Sequence, residues 1–282
     1  SQPRERVVVT GMGVASPLGC NLIDFWNGLV KGNSAVGVLD STVFPDLPLK
    51  IGAAVWGYEE SQYFDSKEAR RMSRSSQLGL VAAGQAISEA KLEEERVDCE
   101  GIGVLVGSCI GGYSGADQYF KTYYTGGRLS PFTIPNSMNI APGANISIKY
   151  GFQGPLLSVD AACSTAAQSI GYAFNMIRNG MLQAAITGAT DSPFSPVVVG
   201  GWLALHAVSN LVDPPAEACR PFSADRDGMV LGEGAGILVL EAESHALRRG
   251  APILAEIKGY GASADSSHLT QPTQKGPVLA MQ

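Results

Sequence analysis

An α/β class, with helices covering a mostly parallel sheet, follows from three observations on the 282 residues. Short apolar runs alternate with amphipathic segments along nearly the whole chain, and glycine bounds most of the runs. Hydrophobic residues make up 45% of the chain and charged ones 16%, with 34 glycines, so there is enough apolar side chain for a large core. The same composition excludes a disordered chain and a disulfide-stapled miniprotein.

Arg6–Thr10 reads as a short buried strand, Gly11-Met-Gly-Val-Ala-Ser-Pro-Leu-Gly19 as the glycine turn that releases it, and Leu22–Leu29 as the following helix. The polar stretch from Gly32 to Asp65 has no regular period. Ser66–Lys91 reads as one helix, with Leu78, Val81, Ala82 and Gln85 at three-to-four spacing. Ile102–Val106 is the next strand. From Gly107 to Gly154, Gly, Pro, Ser and Tyr dominate with little periodicity, the pattern of an insertion that builds a surface or a partner contact. Leu156–Ala162 reads as a buried strand, Ser164–Arg178 as an amphipathic helix stopped at Gly180, and Ala184–Gly188 as a further strand. Gly236–Leu240 and Ile253–Gly259, separated by the helical Glu241–Gly250, are the expected closing strands, and Gly276–Gln282 begins another helix.

Twenty Lys+Arg against 26 Asp+Glu leave a net charge of −6, which argues against whole-surface attraction to nucleic acid or anionic membrane. No stretch approaches the roughly 20 apolar residues of a membrane span, and residues 1–6 carry no signal-peptide pattern. The five cysteines, at 20, 99, 109, 163 and 219, are scattered and odd in number, so neither a disulfide framework nor a CxxC zinc site is expected. The expected setting is cytoplasmic, or an organelle stroma or matrix after loss of a targeting segment.

Cys163 stands where a β-branched strand meets a helix of small residues, in Ser158-Val-Asp-Ala-Ala-Cys163-Ser-Thr. A Cys-Ser-Thr tripeptide taken alone reads first as a small buried core residue. At a helix N-terminus, however, the dipole and the unpaired N–H groups favour thiolate and can receive the oxyanion of a tetrahedral intermediate. The run Gly232-Glu-Gly-Ala-Gly236 is not a dinucleotide loop, because it leads into a strand instead of opening a helix.

Several motifs occur in a consistent order: Val7-Val-Val-Thr-Gly-Met-Gly13, Ser16-Pro-Leu-Gly19, Gly107-Ser-Cys-Ile-Gly-Gly112, Gly154-Pro155, Asp160-Ala-Ala-Cys163-Ser-Thr, Arg220-Pro-Phe-Ser-Ala-Asp-Arg-Asp-Gly228 and Gly232-Glu-Gly-Ala-Gly236. Together they resemble the β-ketoacyl synthases of the thiolase-like superfamily, the elongating synthase I/II type. The resemblance implies a thiolase-like fold, a layered helix/sheet arrangement with a mixed-parallel sheet, built as an internal duplication. Residues 1–259 are then the first half, with 107–154 as dimer region, and 260–282 start the second half.

The resemblance further implies that Cys163 takes an acyl group from acyl carrier protein as a thioester and extends it by decarboxylative condensation with a malonyl unit, in fatty acid or polyketide synthesis. Partners would be acyl carrier protein and a second subunit, in a homodimer or ketosynthase heterodimer; no cofactor and no metal are implied. Lys67, Arg70, Arg71 and Arg74, at i, i+3, i+4 and i+7, would put four cations on one helix face as the carrier-docking port, with His206 near its mouth. Ile110, Met138 and Trp202 match acyl-pocket positions, and His268 and Thr270 match the loop beside the pantetheine channel. His245, on a charged helix, reads as a surface residue. The two histidines that promote decarboxylation in the family have no counterpart motif, so the chain is expected to be a truncated record or to have its remainder elsewhere. Two other readings stay open: a condensing enzyme for coenzyme A thioesters, and a non-catalytic partner subunit that kept its cysteine.

Overall fold

The computed structural model describes residues 4–93 and 98–282; the leader reading at residues 1–3 lies outside them. The first strand, β1 (Val7–Ala15), runs through the glycines expected to form a turn, and only Ser16–Gly19 reverses the chain before α1 (Leu22–Val30). Gly11 and Gly13 stay in the strand because they lie under a helix backbone. A Cβ on Gly13 would sit 1.9 Å from the Ala82 carbonyl oxygen, and one on Gly11 would sit 2.0 Å from that of Ala86. The irregular stretch that follows holds one antiparallel pair, β2 (Gly37–Val38) and β3 (Ile51–Gly52).

The helix expected over 66–91 is two. Asp65 caps α2 (Ser66–Ala69) in a capping box with Glu68, and Ser73 starts α3 (Arg74–Glu89) by accepting from Ser76 N–H at 3.3 Å. Two N-caps within eight residues, Asp65 and Ser73, separate them. After β4 (Ile102–Gly107), the segment expected to be an irregular insertion is largely helical: α4 (Gly111–Tyr124), α5 (Thr133–Ser137) and α6 (Ala141–Tyr150). Glycines in this segment occupy close contacts between helices, so their frequency reflects packing and not irregular chain; a Cβ on Gly112 would meet the Ser137 carbonyl oxygen at 2.2 Å.

The buried strand expected at 156–162 shrinks to β5 (Leu156–Leu157), a partly exposed edge strand. Next come α7 (Thr165–Arg178), β6 (Ala184–Asp191), α8 (Pro196–Ala204), β7 (Gly234–Ala242), α9 (Glu243–Arg248), β8 (Ala255–Ile257) and α10 (Lys275–Met281). Six strands form one mixed sheet in the order β5-β4-β6-β7-β1-β8. Pairing is parallel from β5 through β4 to β6 and antiparallel from β6 onward. The mostly parallel arrangement therefore stops at β6, where the long connection through α8 returns the chain alongside in the opposite sense.

Helices cover both faces. Leu78, Ala82, Ala86 and Ile87 of α3 pack with Ile102, Val104, Val106, Ile186, Ile237 and Val239 on one side, beside Ile146 of α6. Ala173, Phe174 and Ile177 of α7 pack with Val7, Val9, Leu105, Ala185 and Leu240 on the other. A bulge in β1 between Val9 and Gly11 moves the strand's odd-numbered residues from the α7 side to the α3 side, which is how both glycines come to face α3.

Thr10, at this bulge, donates to Glu241, a fully buried carboxylate at the end of β7. Glu241 also pairs with His245 Nδ1 at 2.6 Å and accepts from Arg249 Nε at 2.9 Å, while Arg249 Nη2 donates to the Ala90 carbonyl oxygen at 2.7 Å, at the C-terminus of α3. His245 is thus buried, not on the surface: it lies four residues beyond Glu241, which needs partners in the interior. Burial pushes the Glu241 carboxyl up, but the Arg249, His245 and Thr10 hydrogen bonds more than offset it and hold it at about 2.

A folded value below the ordinary 4.5 means that the stabilisation is present above 4.5 and lost as pH falls toward 2. It amounts to about 3 kcal/mol at neutral pH. Glu241→Gln is expected to lower stability at pH 7 and to flatten the acid limb of the urea midpoint between about pH 5 and pH 2, as read by tryptophan fluorescence. An unchanged acid limb would contradict this role for Glu241.

Candidate active site

At the C-terminal ends of the parallel strands two loops meet, one from β4 into α4 and one from β5 into α7. Gly107, the last residue of β4, admits the first turn of α7: a Cβ there would lie 2.4 Å from Thr165 Cγ2 and 2.8 Å from the Val159 carbonyl oxygen. The second loop turns through Ala162, held in the left-handed region at φ +48°, and then through the 3-10 turn Ala162–Ser164. Such a residue persists only where its surroundings impose it. Here Thr165 Oγ1 accepts from Ala161 N–H at 3.0 Å and donates to the Ala162 carbonyl oxygen at 2.8 Å, and Ser164 Oγ donates to the Ala161 carbonyl oxygen at 2.8 Å.

The turn presents Cys163 as an exposed thiol at the start of a fourteen-residue helix whose N-cap, Ser164, makes no side-chain capping bond. The sequence reading of a strand–Cys–helix junction therefore holds in geometry, although little of the preceding segment is strand. Around it, Asn139 Nδ2 donates to the Cys109 carbonyl oxygen and to Asp160 Oδ2, both at 3.3 Å, and Ser158 Oγ donates to Asp160 Oδ1 at 3.2 Å. Asp191, at the end of β6, accepts from the N–H groups of Cys109 at 2.8 Å and Ile110 at 3.1 Å and from Ser108 Oγ at 3.2 Å.

Ile110 lies in the β4–α4 loop bound to Asp191, and Met138 is exposed next to Asn139, whose amide bonds that loop. Trp202 is half-buried on α8 against the separate cluster of Leu39, Phe44, Phe194 and Leu231. Cys109, Asp160 and Asp191 were missed as site residues. Cys109 and Asp160 lie inside motifs whose neighbouring residues, Ile110 and Cys163, carry the expected roles, and Asp191 is distant in sequence and reaches the loop only through the sheet. Burial pushes the Cys109 thiol up, with the negative charges of Asp191 and Asp160 adding to it. Burial also raises the Asp191 carboxyl, against the pull of its three donors.

Lys67, Arg70 and Arg71 are exposed on and just after α2, where Arg70 Nε donates to the Ser66 carbonyl oxygen at 2.7 Å and Arg71 lies 5.6 Å from the Phe132 ring centre. Arg74 does not share their face. The break before α3 turns it inward, where it binds the buried Glu233 through two hydrogen bonds of 2.8 and 2.6 Å between the Phe44 and Tyr58 rings. His206 is exposed just after α8 at φ +52°. His268 and Thr270 share an exposed loop, with Thr270 N–H donating to His268 Nδ1 at 3.1 Å, and neither hydrogen-bonds to the Cys163 loops. Among the described residues no group of three or more His, Cys, Asp or Glu is placed to hold a metal ion, and no helix is long and apolar enough to cross a membrane.

The family model for the beta-ketoacyl synthase N-terminal domain matches residues 4–246. The chain belongs to this family. It is 38% identical over 276 residues to the 3-oxoacyl-(acyl-carrier-protein) synthase 2 of Synechocystis sp., covering 97% of this chain and 66% of that protein. Against the chloroplastic 3-oxoacyl-(acyl-carrier-protein) synthase I of Hordeum vulgare it is 35% identical, covering 98% and 61%. The chain therefore spans about two thirds of the length of the curated relatives it matches. A crystal structure of a beta-ketoacyl synthase from Burkholderia phymatum superposes with a TM-score of 0.87 at 32% identity, over 98% of this chain and 70% of that one. A type II polyketide synthase acyl-carrier protein complex with its ketosynthase gives 0.82 at 28% identity, over 96% and 66%. These matches agree with the thiolase-like, mixed-sheet architecture.

Exposure and surroundings separate Cys163 from Cys109. Limited alkylation with iodoacetamide near neutral pH is expected to label Cys163 at least about tenfold faster than Cys109, as read by peptide mass spectrometry. Equal rates would contradict the burial and charge assigned to Cys109.

Proposed function

We propose that this chain is the acyl-accepting portion of a β-ketoacyl-acyl carrier protein synthase. Cys163 attacks the thioester of a carrier-bound acyl group; the carrier's pantetheine thiol leaves, and the acyl group stays on Cys163. The observation that carries this reading is the exposed Cys163 at a strained turn on the open N-terminus of α7. The first N–H groups of α7 have no side-chain cap and supply donors for the oxyanion that forms as the thiolate adds. Relatives named 3-oxoacyl-acyl carrier protein synthases support the substrate class.

The full reaction extends the bound acyl group by decarboxylative condensation with a malonyl unit. Among the described residues only acylation of Cys163 has its groups in place, since His245 is bound to Glu241 and neither His206 nor His268 hydrogen-bonds to the Cys163 loops. Ile110 and Met138, with Trp202 on α8, would wall the acyl pocket, and His268 and Thr270 would border the pantetheine channel. Lys67, Arg70 and Arg71, with His206 at its edge, form the port for an acidic carrier, an exposed cationic group on a chain of net charge −6. Exposed Tyr113, Phe120, Tyr124 and Ile134 support segment 107–154 as the dimer face, toward a second copy or a related ketosynthase subunit. The retained cysteine and the cationic port favour a catalytic, carrier-dependent subunit over a structural partner or a coenzyme A condensing enzyme.

Incubation with acyl-acyl carrier protein is expected to add one acyl mass to Cys163 and none to Cys163→Ala; no adduct on the unaltered chain rejects the reading. Combined Arg70→Glu and Arg71→Glu is expected to slow acylation from carrier-bound donor by about tenfold or more while sparing a small thioester analogue. Equal slowing of both donors would remove the docking assignment.

A further inference from the structure

Asp191 has no part in the reaction proposed above, yet it binds the loop beside Cys163. Side chains along β6 alternate between the two faces of the sheet. Ala184 and Ile186 lie in the core under α3, and Thr190 donates to the Ser75 carbonyl oxygen of α3 at 2.7 Å. Ala185 lies in the core under α7, so Thr187, Ala189 and Asp191 face the α7 side. That is the side on which Gly107 meets Thr165, two residues beyond Cys163.

On this side the Asp191 carboxylate holds Cys109 N–H, Ile110 N–H and Ser108 Oγ, and Ser108 Oγ in turn accepts from Gly111 N–H at 3.0 Å. No side chain at Ile110 caps α4. The Cys109 and Ile110 N–H groups precede the helix, beyond the reach of an N-cap side chain, which bonds N–H groups two or three residues further on. Supplying the acceptor from β6 ties the loop to the sheet. The other side of the loop is held by Asn139, which bonds the Cys109 carbonyl oxygen and reaches Asp160 in the Cys163 loop. A carboxylate drawn partly out of water is costly unless bonded, and half-buried Asp191 has three donors, all of them in the loop.

We infer that Asp191 is a positioning residue that fixes the Cys109–Ile110 wall relative to Cys163 and so sets which acyl chains the site accepts. This rests on the reading of Cys163 as acyl acceptor and Ile110 as pocket wall. Asp191→Asn replaces one acceptor oxygen by a donor that opposes a backbone N–H; Ser108→Ala removes one of the three bonds and is the milder change. Thr190→Val, one residue away on the opposite face, removes a buried hydrogen bond to the Ser75 carbonyl oxygen and leaves all three Asp191 bonds in place.

The experiment measures acylation of Cys163 by intact mass, with butyryl and palmitoyl groups on acyl carrier protein as donors, for the unaltered chain and the three variants, together with their melting temperatures. The expected result is a shift of at least about fivefold in the butyryl-to-palmitoyl rate ratio for Asp191→Asn, a smaller shift in the same direction for Ser108→Ala, and an unchanged ratio for Thr190→Val. Equal slowing of both donors, or an unchanged ratio in Asp191→Asn and Ser108→Ala, overturns the inference and leaves the acyl-transfer reading intact. If Asp191→Asn does not fold, Ser108→Ala decides by the same criterion. No adduct on the unaltered chain from either donor overturns the acyl-transfer reading, and the inference falls with it.

Discussion

Direct backbone approach on both faces of one sheet is the constraint from which the site follows. On one side α3 lies so close to β1 that Gly11 and Gly13 have room only for hydrogen, with helix carbonyl oxygens about 2 Å from where a Cβ would be. On the other, Gly107 at the end of β4 admits the first turn of α7. Any larger residue at Gly107 would push α7 outward and carry the Cys163 turn with it. The position of the thiol is thus set by missing side chains as much as by bonds.

Buried carboxylates then lock the layers that this contact brings together. Glu241 joins the β1 bulge, α9 and the C-terminus of α3 through Thr10, His245 and Arg249. Glu233, at the entrance to β7, receives Arg74 from the start of α3, Ser192 from the end of β6 and the Val55 N–H. Asp191, beside Ser192, binds the loop that opens α4. Each acid sits at the end of a strand, where backbone groups and side chains from several elements converge; the donors outweigh desolvation at Glu241 and only partly oppose it at Asp191. The end of β6 is correspondingly crowded: Thr190, Asp191 and Ser192 bind α3, the α4 loop and Glu233 in succession.

Periodicity in the sequence found most elements, and its failures share one cause. Over 66–91 the apolar spacing of Leu78, Val81, Ala82 and Gln85 is helical, while Asp65 and Ser73, two good N-caps, mark two starts. The glycine- and proline-rich stretch after Gly107 was read as irregular, yet those glycines are where helices touch. His245 was placed at the surface by its charged neighbours, although it lies four residues from an acid that the sheet buries. In each case local composition was outweighed by a contact between distant segments.

The sequence alone determined the α/β alternation, the family, and Cys163 at the head of a helix, because these depend on local period, turn residues and motif order. Tertiary structure alone decided that the sheet turns antiparallel after β6, that Arg74 leaves the cationic face for Glu233, and that Asp191 holds the Cys109 loop beside the Cys163 turn. The partners in those interactions lie tens to more than a hundred residues apart, so no local pattern encodes the pairing. It emerges only when the sheet order brings the ends of β4, β5 and β6 together.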